Sequence, residues 1–564
     1  MVALSGSEDS IENKSHKILR PRYALIGAGV IVIALVVLLV IPSSRYSILG
    51  SFMTRHYSVQ ILSSADHSPV VGAKVTIGSK TNYSGKTGRV SFQVPVGHTH
   101  ITISKQYFAG ISKSILVSIG GSSTSKFVLR VTGIIVPIEI TNRIGGSPIR
   151  SAVISASKSS ATSSQTGRAQ LLLPASNAQE TATISASGFL SSKVSVSVTS
   201  KLSLANLFSL VPVGNVYYLS DSTGSVNVMS SNLDGSGPNV ILAGTGKESP
   251  NQSQLAVSID SRYLALLANR DGSQTHLYVF SPQNPIPEEV NPKATGYQFI
   301  GWTANDNLIF EIFNSSLQEW QSGTTDLMSF NPATSVSTIL FSTQAVGTSA
   351  NNFANQYLGN VILLPDNKII YSVNWNSFSY TETPGSFNAS LDLVSFDGSG
   401  SQTLYSAPNQ SYISPSYLVA SGSVIFTVSG GSSMNYFVYE NGQVIPTSNQ
   451  TYSSEINSAS NYSGFLVAPD GTSIIWSEII NGHNAIFESD LSGANKVQLA
   501  TLDNNYSIYG LSSNPSYLII AKDQNELLSM ATSEDQSQAS LVQIGSYLSS
   551  SGYGQYGPYP SANQ

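Results

Sequence analysis

The sequence predicts an all-β chain, most of it a ring of repeated small sheets, with one apolar helix near the N-terminus. Three observations predict this. A phrase of aliphatic strand, polar turn, second strand and Asp-Gly or Asn-Gly turn recurs through the C-terminal two-thirds. Its clearest copies are Ser258 to Gly272 leading into Leu277 to Phe280, and Ala468 to Trp476 leading into Ala485 to Gly493. Long amphipathic helical stretches are absent, and Ser, Thr, Asn and Gly abound, which suits turns and polar sheet surfaces. Finally, residues 23–41 form a single uncharged apolar run. Repeats at a period of roughly 40–50 residues, each a few strands, mark β-propeller blades.

The 564 residues exceed one ordinary domain. Charged residues make up 10% of the chain and the net charge is −5, so no basic footprint for nucleic acid exists. There is no cysteine, which removes disulfides, thiolate metal sites and cysteine nucleophiles.

The run Tyr23 to Ile41, closed by Pro42, has the length of a bilayer-crossing helix, about 20 residues. Lys14, Lys17, Arg20 and Arg22 precede it and only Arg45 and Arg55 follow, so the N-terminal side is expected to stay cytoplasmic. It is longer than a signal-peptide core, and Ile41-Pro-Ser-Ser offers no Ala-x-Ala-like cleavage site. An uncleaved anchor over residues 23–42, after a cytoplasmic tail at 1–22, is the expectation.

Two segments of similar pattern follow, at 57–130 and 131–211. The first reads Tyr57 to Leu62, Ser68 to Ile77, Thr87 to Pro95 and Gly97 to Ile103, alternating apolar residues between Gly, Pro and Ser. The second repeats it as Ile135 to Ile140, Ser147 to Ala156 and Thr166 to Pro174. Ser68 to Val75, Thr87 to Gly97 and Tyr107-Phe-Ala-Gly110 resemble the carboxypeptidase regulatory-like family of small β-sandwiches. The second copy departs from that pattern in Pro174-Ala-Ser and in Ser151 before Ala152. The resemblance implies seven-strand sandwiches acting as spacers or adhesive modules. His98 and His100 share one strand face, but a pair without a third ligand reads as exposed polar residues.

From Val213 to Gly545, strand pairs rich in Tyr, Phe, Ile and Val begin near Val216, Tyr263, Leu308, Ile369, Val424, Ile474 and Tyr517. Seven blades fit, and the stretched third and fourth units admit six or eight. Ala468-Pro-Asp-Gly471, Leu364-Pro-Asp-Asn367, Ile259-Asp-Ser261 and Asn227 to Ser236 resemble the WD40-like repeats of the TolB type. That resemblance implies a propeller that binds proteins. The recurring Asp234, Asp271, Asp397 and Asp470 read as turn residues that cap their own backbone.

No Gly-x-Ser-x-Gly, His-Glu-x-x-His or P-loop pattern occurs, and only His276 and His483 fall in this region. No catalytic, cofactor or metal site is therefore assigned, and no enzyme is expected. Tyr371, Trp375, Phe378, Tyr380 and Trp320, in the insertions of the third and fourth units, are the candidate ligand-contact aromatics. Residues 546–564, rich in Ser, Gly and Tyr, are expected to be a tail without structure. The leading reading is a membrane-anchored extracytoplasmic binding protein whose propeller takes a protein or glycan. A hydrolase or lyase working in the propeller channel is the alternative, and a structural envelope spacer is the second.

Overall fold

The computed structural model describes residues 53–548 and 551–553, together with 33 and 36. Within that span it leaves out 121–123, 157–158, 175–177, 204–205, 316–322, 350–351, 379–386, 408–410, 419–420, 431, 452–461, 469, 524 and 533–540. The anchor expected at 23–42 lies almost wholly outside the described residues. Among those described, no helix is long and apolar enough to cross a membrane.

The first module consists of β1 (Thr54–Ser63), β2 (Lys74–Ile77), β3 (Lys80–Tyr83), β4 (Arg89–Pro95), β5 (Gly97–Ser104), β6 (Ile111–Val117) and β7 (Thr124–Leu129). They form a three-stranded sheet β4-β1-β7 and a four-stranded sheet β3-β2-β5-β6. The inward alternate residues of both sheets, among them Val59, Ile61, Val75, Phe92 and Ile101, make one core. The second module repeats this with β8 (Ile134–Asn142), β9 (Val153–Ala156), β10 (Ser159–Thr162), β11 (Arg168–Leu173), β12 (Gln179–Ser185), β13 (Ser192–Ser197) and β14 (Leu207–Leu210). Its sheets are β11-β8-β14 and β10-β9-β12-β13, so the two modules share one topology.

The shared Thr-Gly-Arg phrase has a physical cause. A Cβ on Gly88 would lie 2.5 Å from the Ile61 carbonyl oxygen, and one on Gly167 would lie 2.4 Å from that of Ile140. Both glycines also have positive φ, +68° and +73°. Just upstream, buried Ser84 donates to the Val70 carbonyl (2.6 Å) and accepts from Ala73 N–H (2.8 Å). Ser163 does the same with Ile149 (2.6 Å) and Ala152 (2.9 Å).

Among the described residues, seven sheets follow. They start at Asn215, Gln254, Gly296, Ala345, Ser411, Tyr462 and Tyr506, and are numbered blades 1 to 7. Blades 2, 3, 5, 6 and 7 have four main strands in meander order; blade 1 has three, and blade 4 has five. The strand starts read from the sequence all fall in these blades. In blades 2 to 7, however, they mark a later strand, because an inner strand precedes each one, as Gln254–Val257 precedes Leu264–Ala268, and in blade 4 two strands do.

The ring closes between blades 7 and 1. Tyr509 donates from its hydroxyl to the Tyr217 carbonyl (3.3 Å), Ser529 to that of Leu233 (2.6 Å), and both blades share one core. The chain's end completes the inner layer. Leu548 N–H donates to Leu219 C=O (3.0 Å), and Ser551–Tyr553 pairs in parallel with Gln254–Val257. The segment expected to lack structure from residue 546 is thus corrected over its first residues: Tyr547 is buried against Tyr509, and backbone pairing orders 551–553 although their composition carries no apolar pattern.

The second module is docked on this closure. Ile144, in the turn after β8, is fully buried among residues of blades 1, 2 and 7. Asn142 donates to the Tyr517 hydroxyl at 3.0 Å.

Candidate functional site

Blade 4 departs most from its neighbours. Its strands Asn352–Leu363 and Lys368–Phe378 run 12 and 11 residues, whereas Gly296–Trp302 and Leu308–Phe313 of blade 3 run 7 and 6. At ~3.3 Å per residue the longer hairpin rises roughly 15 Å above the ring. An extra strand, Ala345–Ser349, flanks it. The rise lies on the face that carries the turns between second and third strands, since Leu363–Ile369 pairing at the other end matches Trp302–Leu308 of blade 3.

Two asparagines fasten this hairpin to blade 5. Asn374 donates through Nδ2 to the Ile413 carbonyl (3.2 Å) and accepts through Oδ1 from Ile413 N–H (2.8 Å). Asn360 donates to the Pro415 carbonyl at 3.0 Å. On the blade 5 side, Tyr357 stacks on Tyr412, with centroids 6.4 Å apart and planes at 25°. Burial, then the adjacent Tyr412 phenol, raises the Tyr357 hydroxyl above the usual tyrosine range. Tyr412 remains 37% exposed. On the opposite face Trp375, half-buried, meets Phe387 at 4.7 Å. The crest therefore presents aromatic surface on both sides of a rigidly held hairpin.

The candidate aromatics are placed unequally. Tyr371 is corrected: it is 2% exposed and packs on Phe341 of blade 3 at 5.3 Å. Strand alternation puts it on the same face as Trp375, but four residues lower, inside the height of the ring. Burial pushes its phenol well above the ordinary value. Trp375 lies on the crest. Phe378 ends the hairpin, where its backbone pairs with Phe353, and its side chain lies outside the described residues. Tyr380 and Trp320 lie outside them entirely. Sequence reasoning missed Tyr357 and Tyr412; both belong to inner strands, which carried no clear strand signal.

The recurring aspartates stay in their own turns. Asp234, Asp271, Asp397 and Asp470 each accept from the N–H and hydroxyl of the residue two further on: Ser236, Ser273, Ser399 and Thr472. Those bonds hold the carboxyls of Asp271, Asp397 and Asp470 below the usual range. On the opposite face from the crest, Arg262 joins Asp260 and the buried Asp306 of blade 3 (2.5 Å to the latter). Burial and then the Asp260 charge push Asp306 up to about 6, against the pull of Arg262. Glu311 in blade 3 is 8% exposed and has no hydrogen bond or ion pair among the described residues; burial pushes it up to about 7.

His276 lies 2.8 Å from Glu289, and His483 lies 3.6 Å from Asp503, each with a single carboxylate and on different blades. His98 and His100 are both exposed, and His100 is bonded to Ser112 (2.8 Å). Among the described residues no group of three or more His, Asp or Glu side chains is placed to hold a metal ion.

No protein-family model matches the chain, and no curated protein does either. Among solved structures, an oligogalacturonate lyase in complex with manganese is similar at 11% identity, covering 59% of this chain and 86% of the other, with a TM-score of 0.31. TolB from Acinetobacter baumannii is similar at 12% identity over 68% of this chain and 77% of its own, with a TM-score of 0.25. The tricorn protease is similar at 10% identity over 79% of this chain and 45% of its own, with a TM-score of 0.32. Likenesses at these TM-scores carry no argument about activity, and the all-β, propeller-like architecture rests on the strand pairing described above.

Proposed function

We propose that the chain is a membrane-anchored, extracytoplasmic binding protein without catalytic activity, whose propeller recognises a protein or glycan through the blade 4 crest. The observation that carries this reading is the crest itself, with Trp375 and Tyr357 on a hairpin clamped to blade 5 and Tyr357 stacked on the exposed Tyr412 of that blade. Rigid aromatic side chains give large contact area at little entropic cost, so they suit recognition better than flexible ones. The apolar run at 23–42 supplies the anchor. The two preceding modules act as a stalk of carboxypeptidase regulatory-like sandwiches.

The test uses the soluble chain from residue 53 onward, immobilised and exposed to surface extracts and to a glycan array. Saturable capture that falls at least tenfold in a Trp375→Ala, Tyr412→Ala double variant supports the reading. Capture indifferent to both substitutions refutes the crest as the site. Protease added outside intact cells should remove the propeller; a propeller left untouched refutes the membrane orientation.

A further inference from the structure

The two modules and the propeller are joined by two copies of one joint, and the copies differ in a way that exposes a site. In the first joint Phe108 N–H donates to the Lys105 carbonyl (3.2 Å) and Thr132 N–H to that of Tyr107 (2.8 Å). In the second, Phe189 N–H donates to Ala186 (3.2 Å) and Val213 N–H to Gly188 (2.9 Å). Isolated bridges Phe108–Val131 and Phe189–Pro212 complete the match. Lys105-Gln106-Tyr107 therefore occupies the place that Ala186-Ser187-Gly188 fills in the second copy.

The third position needs the left-handed backbone conformation, φ +79° at Gly188 and +63° at Tyr107. Glycine adopts it freely; a tyrosine there is strained, and such strain persists where a side chain is needed in that place. Around Gly188 an added Cβ would meet nothing within 4 Å, so space does not dictate the glycine. The second joint is filled instead by Ile144 and Asn142 docking on the propeller. At the first joint the equivalent of Ile144 is the exposed Ala65, and a cleft of about 460 Å³ remains between the modules. All three residues of Lys105-Gln106-Tyr107 line it.

We propose that this cleft binds an oligosaccharide bearing carboxylates, a uronic-acid oligomer. Its volume falls in the range of small-ligand sites. Ile135, Leu172 and Val71 give an apolar floor, and Tyr107 an aromatic wall on which a sugar ring's C–H face packs. Gln106, Gln170, Ser159 and Ser160 offer amide and hydroxyl partners for ring hydroxyls. Asp66, the only carboxylate among the described residues lining the cleft, is fixed by accepting Ser68 N–H at 3.0 Å and takes sugar hydroxyls as an acceptor. Lys105 makes no ion pair among the described residues. Its ammonium stands 3.3 Å from where a Cβ on Gly72 would lie, and Lys74 lines the adjoining hollow with it, so the two lysines suit the sugar's carboxylates. A saccharide uses both the cations and the acceptor; an acidic peptide leaves Asp66 opposed to its own charge.

The test titrates the soluble chain calorimetrically with oligomannuronate, with oligomannose of equal length, and with a poly-glutamate peptide. Saturable binding of oligomannuronate, at least tenfold tighter than of oligomannose and weakened by salt, is the expected result. The triple variant Lys105→Ala, Gln106→Ser, Tyr107→Gly installs the loop that the second module already folds with. It should lose that binding at least tenfold while its thermal midpoint stays level or rises. Lys105→Gln alone should abolish the preference for the acidic sugar and leave weak neutral binding. The proposal is overturned if the wild type binds neither sugar, if oligomannose binds equally well, if poly-glutamate binds in the sugar's place, or if the folded triple variant binds as the wild type does.

Discussion

Glu311 sits on the second strand of blade 3, directly opposite Gln298 on one neighbouring strand and Leu327 on the other. Alternation turns it to the same side as Ile309, whose side chain belongs to the core shared with blade 4. Among the described residues no ion pair answers it there. Burial raises its carboxyl from 4.5 to about 7, and each tenfold gain in proton affinity corresponds to about 1.4 kcal/mol. The sign follows from proton linkage. The folded state holds the proton more tightly than the unfolded chain does, so stability is full below about pH 4.5. It falls as pH rises and levels off above about pH 7, by then lower by roughly 3 kcal/mol. Glu311→Gln removes the titration, though its buried amide still wants partners, at about 1 kcal/mol. The variant should therefore exceed the wild type by about 2 kcal/mol at pH 8.5 and fall level with or below it at pH 4. Denaturant unfolding followed by tryptophan fluorescence measures this, because Trp302 is fully buried in the same blade. A difference between the two proteins that does not change across that pH interval would refute the reasoning.

Arg262→Ala should destabilise the ring by about 1–2 kcal/mol at pH 8, where Asp306 is ionised and buried, and by less at pH 5; the exposure of Arg262 keeps the figure low. Ile144→Asp places a charge in the core of the ring closure and should cost about 3 kcal/mol or more, read as a lower melting temperature of blades 1 and 7 by hydrogen exchange. Gly88→Ala drives a Cβ into the Ile61 carbonyl and should lower the first module's own melting by well over 1 kcal/mol while leaving the propeller transition in place. Coincident loss of both transitions would contradict the separate core of that module.

The repeats were legible because their defining residues answer to local geometry. Thr-Gly-Arg recurs since the glycine meets a carbonyl, and Asp-x-Ser recurs since the aspartate caps its own turn. The second strands of the blades were legible too, as continuous apolar runs such as Leu264–Ala268, buried throughout. The inner strands were not. Ser411–Leu418 alternates buried positions with Tyr412, Ser414 and Ser416, and a polar-apolar mixture interrupted by Pro415 carries little strand signal. Tyr371 and Trp375 look alike in sequence, and only the height of the ring separates a core residue from a surface one. The joints were hidden for another reason. Ile144 stands between Arg143 and two glycines, in a stretch that reads as a loop, and its burial depends on a blade distant in sequence.

The closure of the ring by its last strand imposes an order in time. Contacts such as Tyr509 to Tyr217 span 292 residues, so the flank of blade 1 waits bare until residues beyond 540 have been synthesised. Through that interval its unpaired edge, including the Leu219 carbonyl, is open to other chains. A chain stopped a dozen residues before Tyr553 would therefore fail by sticking to its neighbours rather than by losing one strand, and its yield should fall with expression level.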